Sequence, residues 1–130
     1  FVLIIPDFSI YTKDAYKAFD EIKRMDKYLP RVDEMLKAIS CGDYKGLCKE
    51  LYNAMEIPVF QRFPVLKEIK ERLIVEGALG ALMSGSGSTI FGIAESEREA
   101  KDIANKARTS FVSLPIKDVI TASTFNYRAF

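Results

Sequence analysis

The chain has no histidine and only two cysteines, Cys41 and Cys48, in 130 residues. Without an imidazole, neither a serine–histidine–acid nor a cysteine–histidine nucleophile system can be built from these residues. A zinc site needs more thiolates or imidazoles than two cysteines supply, so no metal site is expected. The two cysteines are read instead as free thiols on packed faces, in the reducing setting of the cytoplasm. An excess of one charge is also missing. Against 19 Lys and Arg stand 18 Asp and Glu, a net charge of +1, which gives no electrostatic ground for a nucleic acid or an anionic membrane as partner. No apolar run approaches the roughly 20 residues that cross a bilayer. Internal repeats and low-complexity segments are absent. The lysines and aspartates that remain are scattered along helical patterns with no pair marked by spacing, as solvated faces are. No catalytic residue is therefore assigned.

What is present is a globular composition, 48% hydrophobic and 28% charged, in a length that suits one domain, residues 1–130, with a core of its own. The chain opens Phe1-Val2-Leu3-Ile4-Ile5-Pro6, a β-prone apolar run consistent with a central strand covered on both faces. No initiator methionine, basic leader or cleavage pattern precedes it. We read this opening as a cut inside a longer protein, whose preceding N-terminal domain carries part of the function.

Helical spacing follows. Thr12 is a candidate N-cap, with Asp14 in the first turn, for a helix over about residues 13–26 carrying Ala15, Phe19, Ile22 and Met25. Leu29-Pro30 ends it. Val32, Met35, Leu36 and Ile39 mark a second helix closed by Ser40-Cys41-Gly42. Asp43 caps a third, with Tyr44, Leu47, Cys48, Leu51 and Met55 as its stripe. Pro58 and Pro64 interrupt the chain, the latter at the first turn of a helix carrying Leu66, Ile69 and Leu73 that Gly77 ends. The period then changes. Residues 78–84 and 89–95 read as an antiparallel hairpin. Ser96-Glu97-Arg98-Glu99 is a capping box for a helix with Ala100, Ile103, Ala104, Ala107 and Phe111 inward. A last strand covers residues 116–124, and residues 125–130 read as an irregular tail. The order is the split βαββαβ plan of an α+β, ferredoxin-like fold: a four-stranded antiparallel sheet with extra helices, about residues 31–76, in the first crossover.

Four of the seven glycines fall within residues 80–92, around the loop Gly85-Ser86-Gly87-Ser88. Small residues leave backbone N–H groups unobstructed, as in an anion-binding nest. A flexible hairpin turn would use the same residues. Thr12 and Tyr16 form a second candidate: a hydroxyl and free N–H groups at a helix start, with an aromatic one turn on that could stack on a planar base. An ordinary cap with a packed aromatic is the alternative.

The run Gly77-Ala78-Leu79-Gly80-Ala81-Leu82-Met83-Ser84-Gly85-Ser86-Gly87-Ser88-Thr89-Ile90-Phe91-Gly92 resembles the third conserved motif of the GHMP small-molecule kinases, which lies in their C-terminal domain. Phe8-Ser9-Ile10-Tyr11-Thr12-Lys13-Asp14-Ala15-Tyr16 resembles the segment opening that domain in the 4-diphosphocytidyl-2-C-methyl-D-erythritol kinase branch. Asn53-Ala54-Met55-Glu56 resembles that branch's Asn-Asp-Leu-Glu signature. It departs at Met55 and at Ala54, where an acid is usual; a structural role for the segment is compatible with that departure, and no functional use is assigned to position 54. The resemblance implies one half of an enzyme that transfers the γ-phosphate of ATP, with magnesium, to the 2-hydroxyl of a cytidyl diphosphate substrate in non-mevalonate isoprenoid biosynthesis. It implies that Thr12 and Tyr16 position the substrate, and that Gly85, Ser86, Gly87 and Ser88 support the nucleotide phosphate loop of the N-terminal domain. That domain would supply the catalytic lysine, the aspartate and the principal ATP loop, so the chain alone would be inactive. A homodimer through the exposed cleft face is a further expectation. The alternatives are the C-terminal domain of a homoserine or mevalonate kinase, and a stand-alone ferredoxin-like regulatory module binding a small anion.

Overall fold

Alternation in Val2, Ile4 and Pro6 places three side chains of the first strand on one face of a sheet, and all three are buried. The computed structural model describes residues 1–22 and 31–124. Its strands are β1 (Val2–Pro6), β2 (Gly80–Met83), β3 (Ile90–Ile93) and β4 (Ile116–Thr121). Its helices are α1 (Thr12–Asp20), α2 (Val32–Cys41), α3 (Tyr44–Lys49), α4 (Glu56–Arg62), α5 (Pro64–Val75) and α6 (Glu97–Ser110). The sheet order is β2-β3-β1-β4, with every neighbouring pair antiparallel. This is the expected split βαββαβ plan: α1 to α5 lie in the first crossover and α6 in the second.

The covered face is the core. Val2, Ile4, Ala81, Met83, Ile90 and Val119 from the strands meet Leu66, Ile69 and Leu73 of α5 and Ala100, Ile103, Ala104 and Ala107 of α6. Full burial of each large aliphatic contributes about 1.5–3 kcal/mol. β1 is central, as its apolar run predicts, but covered fully on one face only; Leu3 and Ile5 on the other are half-buried. The second face is shielded at one end by α3, which sits so close to β2 that a Cβ on Gly80 would lie 2.7 Å from Cys48 Cβ.

Several local expectations shift. The helix over 13–26 is α1, which ends at Asp20; Met25, Leu29, Pro30 and the tail lie outside the described residues. α3 stops at Lys49 and leaves Tyr44 46% exposed, so Met55 belongs to the next helix as its N-cap. Pro58 sits in the first turn of α4, where no intrahelical N–H is needed, and does not interrupt. Asp43 caps α3 as expected, accepting from Gly46 N–H at 2.9 Å. Ser96 Oγ accepts from Glu99 N–H at 3.2 Å, while Glu99 Oε2 accepts from Glu95 N–H and not from Ser96, so the capping box is displaced by one residue on its return side. Cys41 is exposed, contrary to the packed face expected for it; Cys48 is half-buried, and burial raises its thiol above the usual range. The start of α2 is tied to the end of α3 by Arg31 Nη2 and the buried Glu50 Oε1, 2.9 Å apart.

Candidate functional site

The β2–β3 turn needs backbone that few side chains allow. Gly85 has φ +56° and Gly87 φ +91°, both in the left-handed region. Ser84 N–H donates to Thr89 O at 2.9 Å to close the hairpin, and Gly87 N–H donates to Ser84 O at 3.0 Å. Among the described residues, the N–H groups of Gly85, Ser86 and Ser88 have no partner. The loop is exposed at Gly85 and half-buried from Ser86 to Thr89. One expected amide donor, that of Gly87, is therefore consumed by the turn itself, and the other three remain open.

Both serines of the loop reach back to the connection between β1 and α1. Ser88 Oγ donates to Phe8 O at 2.6 Å, and Ser86 Oγ lies 3.1 Å from Thr12 Oγ1. Thr12 is not the N-cap that its position suggests. Tyr11 holds that place without a side-chain cap, and Thr12 is the first helical residue. Its hydroxyl is thereby free to turn outward to Ser86, so two candidates from distant parts of the sequence touch. Tyr16 stands one turn further along α1 and is 58% exposed. It makes no hydrogen bond to the loop among the described residues, and its ring is open to solvent.

A third segment holds the loop from behind. Among the described residues β2 is an edge strand, and Met83 turns its N–H and C=O outward, where none of their strands pairs with them. Glu56 Oε1 accepts the Met83 N–H at 2.8 Å, and Asn53 Nδ2 donates to Met83 O at 2.8 Å. The same Asn53 amide donates to Gly85 O at 2.7 Å, while its Oδ1 accepts Met55 N–H at 3.0 Å. Lys70 Nζ of α5 meets Glu56 Oε2 at 2.6 Å in a half-buried pair, so the carboxylate behind the loop carries its counter-charge with it. These contacts are made by Asn53 and Glu56, without a polar side chain at Ala54. Lys70 had no signal in the sequence. Asn53 and Glu56 had one, the signature-like segment Asn53-Ala54-Met55-Glu56, although its residues act on β2 and the loop as well as on their own backbone.

Among the described residues, no group of three or more acids, thiols or imidazoles comes together to hold a metal. None of their helices is long and apolar enough to cross a membrane. A cavity of about 530 Å³ lies at the opposite end of the sheet from the loop, between Phe1, Leu47, Ile93 and Ala122. A smaller one, about 170 Å³, lies behind α1 against Val59 and Phe63. Neither includes the Gly/Ser loop, which is a surface wall.

The described residues thus form a four-stranded antiparallel sheet of order β2-β3-β1-β4, with a small-residue loop and its open amides at one end. Residues 25–113 match the family model for the C-terminal region of GHMP kinases, and the chain belongs to that family. The 4-diphosphocytidyl-2-C-methyl-D-erythritol kinase of Clostridium tetani is 37% identical over 119 residues, covering 92% of this chain and 42% of that protein. A crystal structure of 4-(cytidine 5'-diphospho)-2C-methyl-D-erythritol kinase matches with a TM-score of 0.68 at 34% identity, over 83% of this chain and 38% of the other. Homoserine kinase from Cytophaga hutchinsonii, at 22% identity and a TM-score of 0.71 over 92% and 39%, shares the fold. The chain thus spans about two fifths of the length of the relatives it matches.

Proposed function

We propose that this chain is the C-terminal, substrate-positioning part of an ATP-dependent kinase that phosphorylates the 2-hydroxyl of 4-diphosphocytidyl-2-C-methyl-D-erythritol in isoprenoid biosynthesis, acting in the cytoplasm. The observation that carries this reading is the Thr12–Ser86 contact, 3.1 Å, which puts a helix start and the open amides of the loop on one surface. Thr12 and the exposed Tyr16 would hold the cytidyl diphosphate end of the substrate, Tyr16 by stacking. Gly85, Ser86 and Ser88 N–H groups would face the phosphate-bearing loop of an N-terminal domain, with Gly87 shaping the turn. Their contribution is orientation and fixed partial positive charge, not proton transfer. The unpartnered amides fit a phosphate. Magnesium, when bound, would neutralise charge on the ATP phosphates, and among the described residues no group of three or more acids or thiols gathers to hold it. Homodimerisation of the chain, when separated from the rest, belongs to the same reading.

The test is an assay of the full-length protein with ATP and each of three alcohols. Phosphorylation of the cytidyl substrate is expected. Turnover of homoserine or mevalonate in its place would overturn the substrate assignment, and a protein with no phosphoryl transfer at all would leave an anion-binding regulatory module as the better account.

A further inference from the structure

We infer that Asn53 is a positioning residue: it sets the direction of the Ser86 N–H, and through it the affinity of the loop for phosphate. The inference rests on the kinase reading above and deepens it. In a trans peptide the C=O and the following N–H point in opposite directions. Asn53 Nδ2 holds Gly85 O at 2.7 Å, so the Ser86 N–H of the same peptide unit is turned away from Asn53, toward the open side of the loop. The second donation, to Met83 O at 2.8 Å, anchors that amide to the last residue of β2, which lies on rigid sheet. Donation to a carbonyl also polarises its peptide, which strengthens the N–H on the other end as a donor. Ser86 Oγ is fixed separately by Thr12, at 3.1 Å. The peptide unit is therefore held at the carbonyl by Asn53 and at the side chain by α1, with its N–H the remaining free group.

The division of labour within Asn53 supplies the test. Its oxygen accepts Met55 N–H at 3.0 Å and serves the start of α4, whereas its nitrogen serves the loop. Asn53→Asp keeps the acceptor and removes both donors, setting carboxylate oxygens against two carbonyls. In the full-length enzyme, N53D is expected to raise the KM for ATP about tenfold, the scale of one weakened hydrogen bond, with the KM for the alcohol substrate changed less than about twofold. A purely structural role would lower the active fraction, and so kcat, without moving either KM. With the serines labelled by ¹⁵N, N53D should also shift the Ser86 amide resonance in the absence of ligand. Asn53→Ser, which is neutral and too short to reach either carbonyl, gives the same readouts should the aspartate prevent folding. An unmoved Ser86 resonance, or a fall in kcat alone, overturns the inference and leaves the kinase reading standing. A wild-type Ser86 resonance that fails to respond to ADP overturns the phosphate role of the loop itself, and that result does not depend on the variants.

Discussion

At the scale of single residues, the loop depends on two glycines for different reasons. A Cβ on Gly85 would meet nothing within 4 Å, so Gly85→Ala carries only the left-handed penalty at φ +56°, about 1 kcal/mol. A Cβ on Gly87 would also press on Met83 Sδ at 3.0 Å and Ile10 Cδ1 at 3.1 Å. Gly87→Ala should therefore destabilise by about 2–3 kcal/mol, clearly more than Gly85→Ala, in urea unfolding of the two variants side by side. Equal costs would mean that the contacts beneath Gly87 relax freely. Single residues also mark where local rules stop. Thr12 carries the right hydroxyl in nearly the right place for a cap, yet its oxygen goes to Ser86. A partner so distant along the chain leaves no trace in the neighbouring residues, so only the fold could reveal it.

At the scale of elements, periodicity carried most of the information. α2, α5 and α6 were legible because their apolar faces repeat with the helical period and their ends bear Gly42, Pro64 and Ser96. α4 was not, because Pro58 reads as an interruption until the helix is seen to begin at Glu56, which places the ring where no N–H is missed. The loop was legible as glycine and serine, and the segment Asn53 to Glu56 as a signature, whereas its convergence with Lys70 behind the loop was not, since α4's entry and α5 meet there only in the fold. The packing of α5 on the sheet gives the prediction proper to this scale. Leu73 is fully buried, and its methyl carbons lie 3.5 and 3.7 Å from where a Cβ on Gly92 would stand. With no side chain on β3 at that point to swing into the gap, Leu73→Ala should lose about 3–5 kcal/mol by chemical denaturation. A loss under about 1 kcal/mol would show that the interface collapses to fill it.

At the scale of the whole molecule, the surfaces left open matter as much as the core. Val32, Leu36 and Ile39 lie on one stripe of α2 and are 60%, 59% and 57% exposed. Expressed by itself, the 130-residue chain is expected to be folded by circular dichroism, to sediment with concentration-dependent association, and to transfer no phosphoryl group from ATP. Turnover by the chain alone would contradict the division of roles proposed here. The topology has a consequence for synthesis. Val2 is in register with Gly92 on one side and with Thr121 on the other, so a strand made early waits for two neighbours made late. Until β3 and β4 are made, Val2 and Ile4 have none of the strand partners that the described sheet gives them. The closure of such separated ends is slow, and the sheet can be completed only after β4 has emerged.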